Sequence, residues 1–187
     1  KGAEAMYRDN RLGTVLPDIG EIEDSIPKDW AGVDNPISPE GLTTLDKSSD
    51  SIFYGDPRFV EHVDEQAVAL TRQYLSSIVQ KLPSDATVLD LCSSWTSHLE
   101  TARALPRRVL GLGMNSKELE ANKQLTEWTV QDLNVNPILP YQTASVDAIF
   151  LQLSIDYLRK PLEVCQEMGR ILNPAVEFTS SSRTVSF

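Results

Sequence analysis

Cysteine is nearly absent from this chain of 187 residues: only Cys92 and Cys165 occur, with no CxxC pair. Histidine is as scarce, with His62 and His98 alone. A disulfide framework and a zinc site are therefore not indicated, and single histidines without metal-spaced partners read as structural residues. Positive charge is also in short supply, 17 Lys and Arg against 27 Asp and Glu, a net of −10 and a pI near 4.6. Such a field repels phosphate, which argues against nucleic acid or an anionic membrane as partner. No apolar run reaches the ~20 residues that a membrane-spanning helix needs. The first residue is Lys1 rather than methionine. That start reads either as a shortened chain or as the removal of a targeting peptide, and the second reading points to an organelle.

What is present divides in three. Residues 1–50 carry Pro17, Pro27, Pro36 and Pro39 and little regular apolar spacing, with five basic against eleven acidic side chains. A segment of this kind buries too little apolar surface to offset its own ordering entropy. It is expected to be ordered only by docking, on its own domain or on a partner chain, through isolated anchors such as Tyr7, Leu12, Ile22 and Trp30. Residues 51–174 have the pattern of a folded domain, in which 41% hydrophobic residues overall suffice for an ordinary core. Residues 175–187 form a short serine-rich tail in which one strand, Ala175 to Thr179, has room to form.

Within the middle segment the periodicity predicts a helix over Asp64 to Leu82, whose apolar face includes Ala67, Leu70, Leu75, Ile78 and Val79. A buried strand follows at Thr87 to Leu91, bounded upstream by Pro83-Ser84-Asp85. A short helix is expected from Ser97 to Leu105, stopped by Pro106. Further strands are expected at Arg107 to Leu112, Trp128 to Leu133 and Val146 to Leu153. Ser116 reads as the N-cap of a helix to Lys123, with Glu118 and Glu120 near the positive end of its dipole. A last helix spans Leu162 to Leu172, opened by Pro161 and closed by Asn173-Pro174. Strands alternating with helices imply right-handed crossovers and a parallel sheet. Asp90 then falls near the carboxyl end of the first strand, where open parallel sheets place their ligands.

The motif Asp90-Leu91-Cys92-Ser93-Ser94-Trp95, with Ser97-His98-Leu99 behind it, resembles the first motif of the class I S-adenosylmethionine-dependent methyltransferases. More narrowly, it resembles a plant, algal and cyanobacterial subgroup in which Asp-Leu-x-Ser-Ser-Trp replaces a glycine-rich loop. Val109 to Asn115, Val130 to Asn134, Ser145 to Ile149 and Glu167 to Pro174 continue the likeness in order and spacing. It implies a Rossmann-like, mostly parallel α/β sheet that lacks the last strands of the type, with an acidic N-terminal extension. It implies S-adenosylmethionine as cofactor. Asp90, Cys92, Ser93 and Ser94 would surround the methionine part, Met114 and Asn115 the ribose and adenine, and Asp132 and Leu133 the adenine edge. Gln152 and Ser154 would face the methyl acceptor, a small molecule, and a plastid would be the compartment, with the cytoplasm as alternative.

Three departures from that pattern keep a second reading open. Side chains stand where loop glycines are usual, Asn115 stands where many relatives carry an acid, and the sequence after Asn173-Pro174 diverges. The chain is either a methyltransferase or a methyltransferase-derived accessory subunit of a larger organellar assembly, photosynthetic in one version. In the accessory reading, residues 1–50 and 175–187 contact partner chains.

Overall fold

The structure is a computed structural model that describes residues 49–99, 106–174 and 185–186, together with Gly32 and Gly41. The docking anchors expected in the first 48 residues, the helix expected over 100–105 and the strand expected from Ala175 to Thr179 lie outside the described residues. Packing divides the chain after Gly41, and the strands and helices named below belong to the unit that begins at Leu42.

Five parallel strands form one sheet in the order β3-β2-β1-β4-β5. They are β1 (Thr87–Leu91), β2 (Arg108–Gly113), β3 (Glu127–Val130), β4 (Ala148–Leu151) and the two-residue β5 (Val185–Ser186). Helices α1 (Asp50–Phe53), α2 (Glu65–Val79), α3 (Ser116–Ala121) and α4 (Pro161–Ile171) accompany them. The expected Rossmann-like α/β sheet is thus the observed architecture. β1 lies at the centre and starts and stops where the sequence indicates. β3 is shorter than expected, because the chain turns at Asp132, whose carboxylate accepts from the Asn134 and Val135 amides.

The central strands are apolar on both faces, as a doubly covered sheet requires. Leu89 and Leu91 of β1 join Leu110, Leu112, Ile149 and Leu151 in one cluster that packs on Val164, Met168 and Ile171 of α4. Val88, Val109, Ala148 and Phe150 face the other way, onto Leu75, Ile78 and Val79 of α2. Asp64 caps α2 by accepting the Ala67 amide at 2.8 Å, so the helix begins at Glu65. In α3 the cap is Asn115 rather than Ser116: its Oδ1 accepts from the amides of Lys117 and Glu118. Ser97 to Leu99 are not helical, which corrects the expected start of a helix at Ser97. Ser97 is instead tied down by its own polar contacts, described next.

Candidate functional site

β1 ends in Asp90 and Leu91, and the loop beyond must turn sharply to cross the end of β2. Cys92 makes that turn in the left-handed region, at φ 58°. The conformation costs a side-chain-bearing residue about 1–2 kcal/mol, and it is the one that glycine adopts freely. The loop then lies directly on β2. Ser93 N donates to Leu112 O at 2.8 Å, and a Cβ placed on Gly113 would come within 2.1 Å of Ser93 O. Gly113 is therefore the glycine the crossing depends on.

Asp90 is buried beneath this loop. Its Oδ2 accepts from Ser93 Oγ at 2.5 Å and Ser97 Oγ at 2.6 Å, and its Oδ1 from Gln152 Nε2 at 3.5 Å. Burial pushes its pKa up to about 6, against the opposing pull of those hydrogen bonds. Burial, with the Asp90 charge beside it, pushes the Cys92 thiol up to about 12, so that it stays protonated and unreactive. Gln152 also donates to Ser97 O, and Ser154 Oγ donates to Gln152 O. The two residues expected on the acceptor side thus stand against the Asp90 cluster.

Three polar residues hold this region together and were not singled out as site residues in the sequence. Asn122, buried after α3, donates to Ser94 O and to Ser97 Oγ. Glu118, also buried, accepts from Ser94 Oγ at 2.6 Å and from Arg58 N at 2.7 Å. It is not the solvated first-turn acid that its place in α3 suggests. Asn134 donates to Asp50 Oδ2 at 2.7 Å and Tyr157 O at 3.0 Å, and accepts the Arg159 amide. Glu118 and Asn122 lie four residues apart, hence on one face of a helical turn, and that spacing is the only local signal either carries.

The remaining expected cofactor residues are distributed over adjoining loops. Asn115 Nδ2 donates to Tyr54 O at 2.8 Å and Gly55 O at 3.3 Å. Met114 lies between Gly113 and this cap, Asp132 closes its own turn, and Leu133 is buried in the core cluster with Leu139. The structure brings Asp90, Ser93, Gln152 and Ser154 into one network with Ser94. Asp132 is engaged locally and does not join that network through any hydrogen bond among those described. Among the described residues no three His, Cys, Asp or Glu side chains are placed to hold a metal ion, and no helix is long and apolar enough to cross a membrane.

Residues 89–178, just under half of the chain, match the family model described as a methyltransferase domain. The fold is that of the class I methyltransferases. Among solved structures, the chain is similar to the [4+2]-cyclase SpnF, with 18% identity, a TM-score of 0.50 and coverage of 63% of this chain and 46% of that one. It is similar to a chain of the complex containing the Haloferax volcanii Trm112 methyltransferase activator, at 22% identity and a TM-score of 0.43 over 56% and 50%. A SAM-dependent methyltransferase from Aquifex aeolicus gives 16% identity and a TM-score of 0.39 over 60% and 69%. The chain spans about half the length of the first two of these structures. Among curated proteins no significant match is found.

Proposed function

We propose that the chain is a methyltransferase-type protein that binds S-adenosylmethionine over the carboxyl ends of β1 to β3 and accepts a small molecule beside β4. The observation that carries this reading is the loop crossing. A tight left-handed turn at Cys92 presses the backbone of Ser93 onto Gly113 and lays the loop over the carboxyl ends of β1 and β2, beside the β1–β4 crevice where the strand order reverses and where such sheets hold their ligands. Asp90, Cys92, Ser93, Ser94, Met114, Asn115, Asp132 and Leu133 are the proposed cofactor residues, with Gln152 and Ser154 toward the acceptor. The residues fit that group by exchange of partners: the hydroxyls of Ser93 and Ser94 and the Asn115 amide, now held by Asp90, Glu118 and the carbonyls of Tyr54 and Gly55, are polar groups that ligand atoms can take over, and Cys92 contributes backbone curvature without a charge. A sulfonium gives up its methyl as a neutral thioether, so the protein's work is alignment of the nucleophile rather than strong acid or base catalysis.

A second reading is favoured by the polar groups themselves. Asp90, Asn115 and Asp132 are all engaged by partners within the chain, as in a fold kept for structure. In that reading the protein is an accessory subunit of an organellar assembly, in a plastid, with partner chains on residues 1–50 and 175–187. Calorimetric titration of the whole chain with S-adenosylhomocysteine separates the two. Saturable heat supports the cofactor reading, and its absence at millimolar ligand leaves the accessory role.

A further inference from the structure

Residues 50–61 run as a strap past the loops that follow all four main strands. Asp50 meets Asn134 beyond β3 and Arg159 beyond β4, the latter at 3.4 Å. The carbonyls of Tyr54 and Gly55 accept from Asn115 beyond β2, and Arg58 N donates to Glu118 in α3. Val60 O accepts from Trp95 Nε1 at 3.3 Å, and Glu61 lies 3.3 Å from His98 Nε2, both in the loop after β1.

These ties are polar, and among the described residues little apolar burial adds to them, Tyr54 being half-buried. No residue of α1 is buried, and none from Ser51 to Ala67 is buried either. Ile52, Phe53, Phe59 and Val60 present more than half of their surface to solvent. Inside the strap Arg58 sits over the Phe53 ring at 3.8 Å, and Phe53 meets Tyr54 edge to face. The segment is thus cohesive within itself but attached by hydrogen bonds, each of modest net strength, about 0.5–1.5 kcal/mol. A segment with few buried apolar contacts opens at a lower free energy than the core.

We propose that this strap is a self-occupying latch. With it closed, the Asn115 amide group and the Glu118 carboxylate, at the start of α3 beyond β2, are spent on the chain's own backbone, and a polar ligand enters by exchanging for those contacts. The proposal rests on the cofactor reading above for the identity of that ligand. The apparent affinity is then the intrinsic affinity scaled by the fraction of open chain, so variants that loosen the strap from its own side bind more tightly.

The test compares the full chain with Asp50→Ala, which removes the ties to Asn134 and Arg159, and with Arg58→Pro, which removes the amide hydrogen given to Glu118. Neither variant alters a proposed cofactor residue. Amide exchange of residues 52–61 is expected to quicken at least tenfold in both, with exchange in β1 unchanged as evidence of an intact fold. The dissociation constant for S-adenosylhomocysteine, by calorimetry, is expected to fall at least fivefold. Faster exchange with an unchanged dissociation constant overturns the latch and leaves the cofactor reading standing. Unchanged exchange in both variants overturns the ties themselves. No binding by any of the three proteins at millimolar ligand overturns the cofactor reading, and the latch with it.

Discussion

At the amino ends of the strands one carboxylate does a simple job. Asp147 accepts the Thr87 amide at 2.8 Å and the Asn173 side chain at 2.6 Å, fastening the start of β1 and the end of α4 to the start of β4. Nearby, Arg170 pairs with Glu167 at 2.7 Å and donates to the carbonyls of Leu139 and Tyr141, which steadies the approach to β4. At the carboxyl ends the chain is arranged otherwise. Asp90 is buried among Ser93, Ser97 and Gln152, and three left-handed residues, Cys92, His98 and Leu153, lie in the loops around it, against one, Ala144, in the approach to β4 at the amino end. Burial of a charge and left-handed backbone both cost stability, and they persist only where surrounding structure over-determines them. The difference teaches that the amino end is built for holding, while the carboxyl end carries the costs that the proposed function assigns to ligand binding.

The sharpest way to break this comparison is at a glycine. Gly113→Ala drives a methyl group into the Ser93 carbonyl and should cost about 3 kcal/mol, the top of the range for overpacking. Gly169→Ala, on α4 with nothing within 4 Å of the new Cβ, should instead gain about 0.5–1 kcal/mol. Urea titrations of the two variants measure both; equal effects would mean that the loop does not rest on β2.

The next effect is on pH. Asp90 has its folded pKa raised to about 6 from 3.8, so the unfolded chain ionises first as pH rises. Its contribution to stability is therefore greatest below pH ~4 and declines through pH ~6, by up to about 3 kcal/mol. Glu167 has the opposite sign: hydrogen bonds from Arg170 lower its pKa, and its contribution is present at neutral pH and lost on acidification. Stability measured from pH 4 to 7 should fall less steeply in Asp90→Asn than in the unaltered chain. Glu167→Gln should remove part of the loss in acid, below about 1 kcal/mol for a pair this near the surface.

Asp147→Ala leaves the Thr87 amide and the Asn173 side chain without their acceptor, and about 2 kcal/mol of stability should go with it. The smallest change expected is a gain. Leu153 is 65% exposed and held at φ 50°, so Leu153→Gly relieves the backbone while losing little packing, for about 1 kcal/mol of added stability. A loss there would show that the exposed leucine is supported by contacts outside the strand-end loops.

Much of the fold was legible from local pattern. The run Thr87 to Leu91 needs no partner to be read as a buried strand, and Pro161 and Asp64 mark helix starts by their own chemistry. Strand ends were less so: Trp128 to Leu133 reads as one strand, and only the Asp132 turn, a side chain closing on amides beyond it, ends the strand early. The candidate site was legible where its residues are contiguous, from Asp90 to Ser94. Glu118, Asn122 and Asn134 escaped because their partners lie 23 to 84 positions away, as with Asn134 to Tyr157 and to Asp50. In sequence each is an ordinary surface residue; the crossing of the loop over β2 brings partners to Glu118 and Asn122, and the approach of α1 and of the segment after β4 brings them to Asn134. The left-handed turn at Cys92 likewise has no residue-type signal, since glycine is the usual occupant.

The most direct measurement is calorimetry of the whole chain with S-adenosylhomocysteine, read alongside amide shifts of the same samples. The account predicts one saturable site, with shifts concentrated in residues 90–94, 113–115 and 132–134 at the carboxyl ends of the strands. Absence of heat and of shifts at millimolar ligand would contradict it.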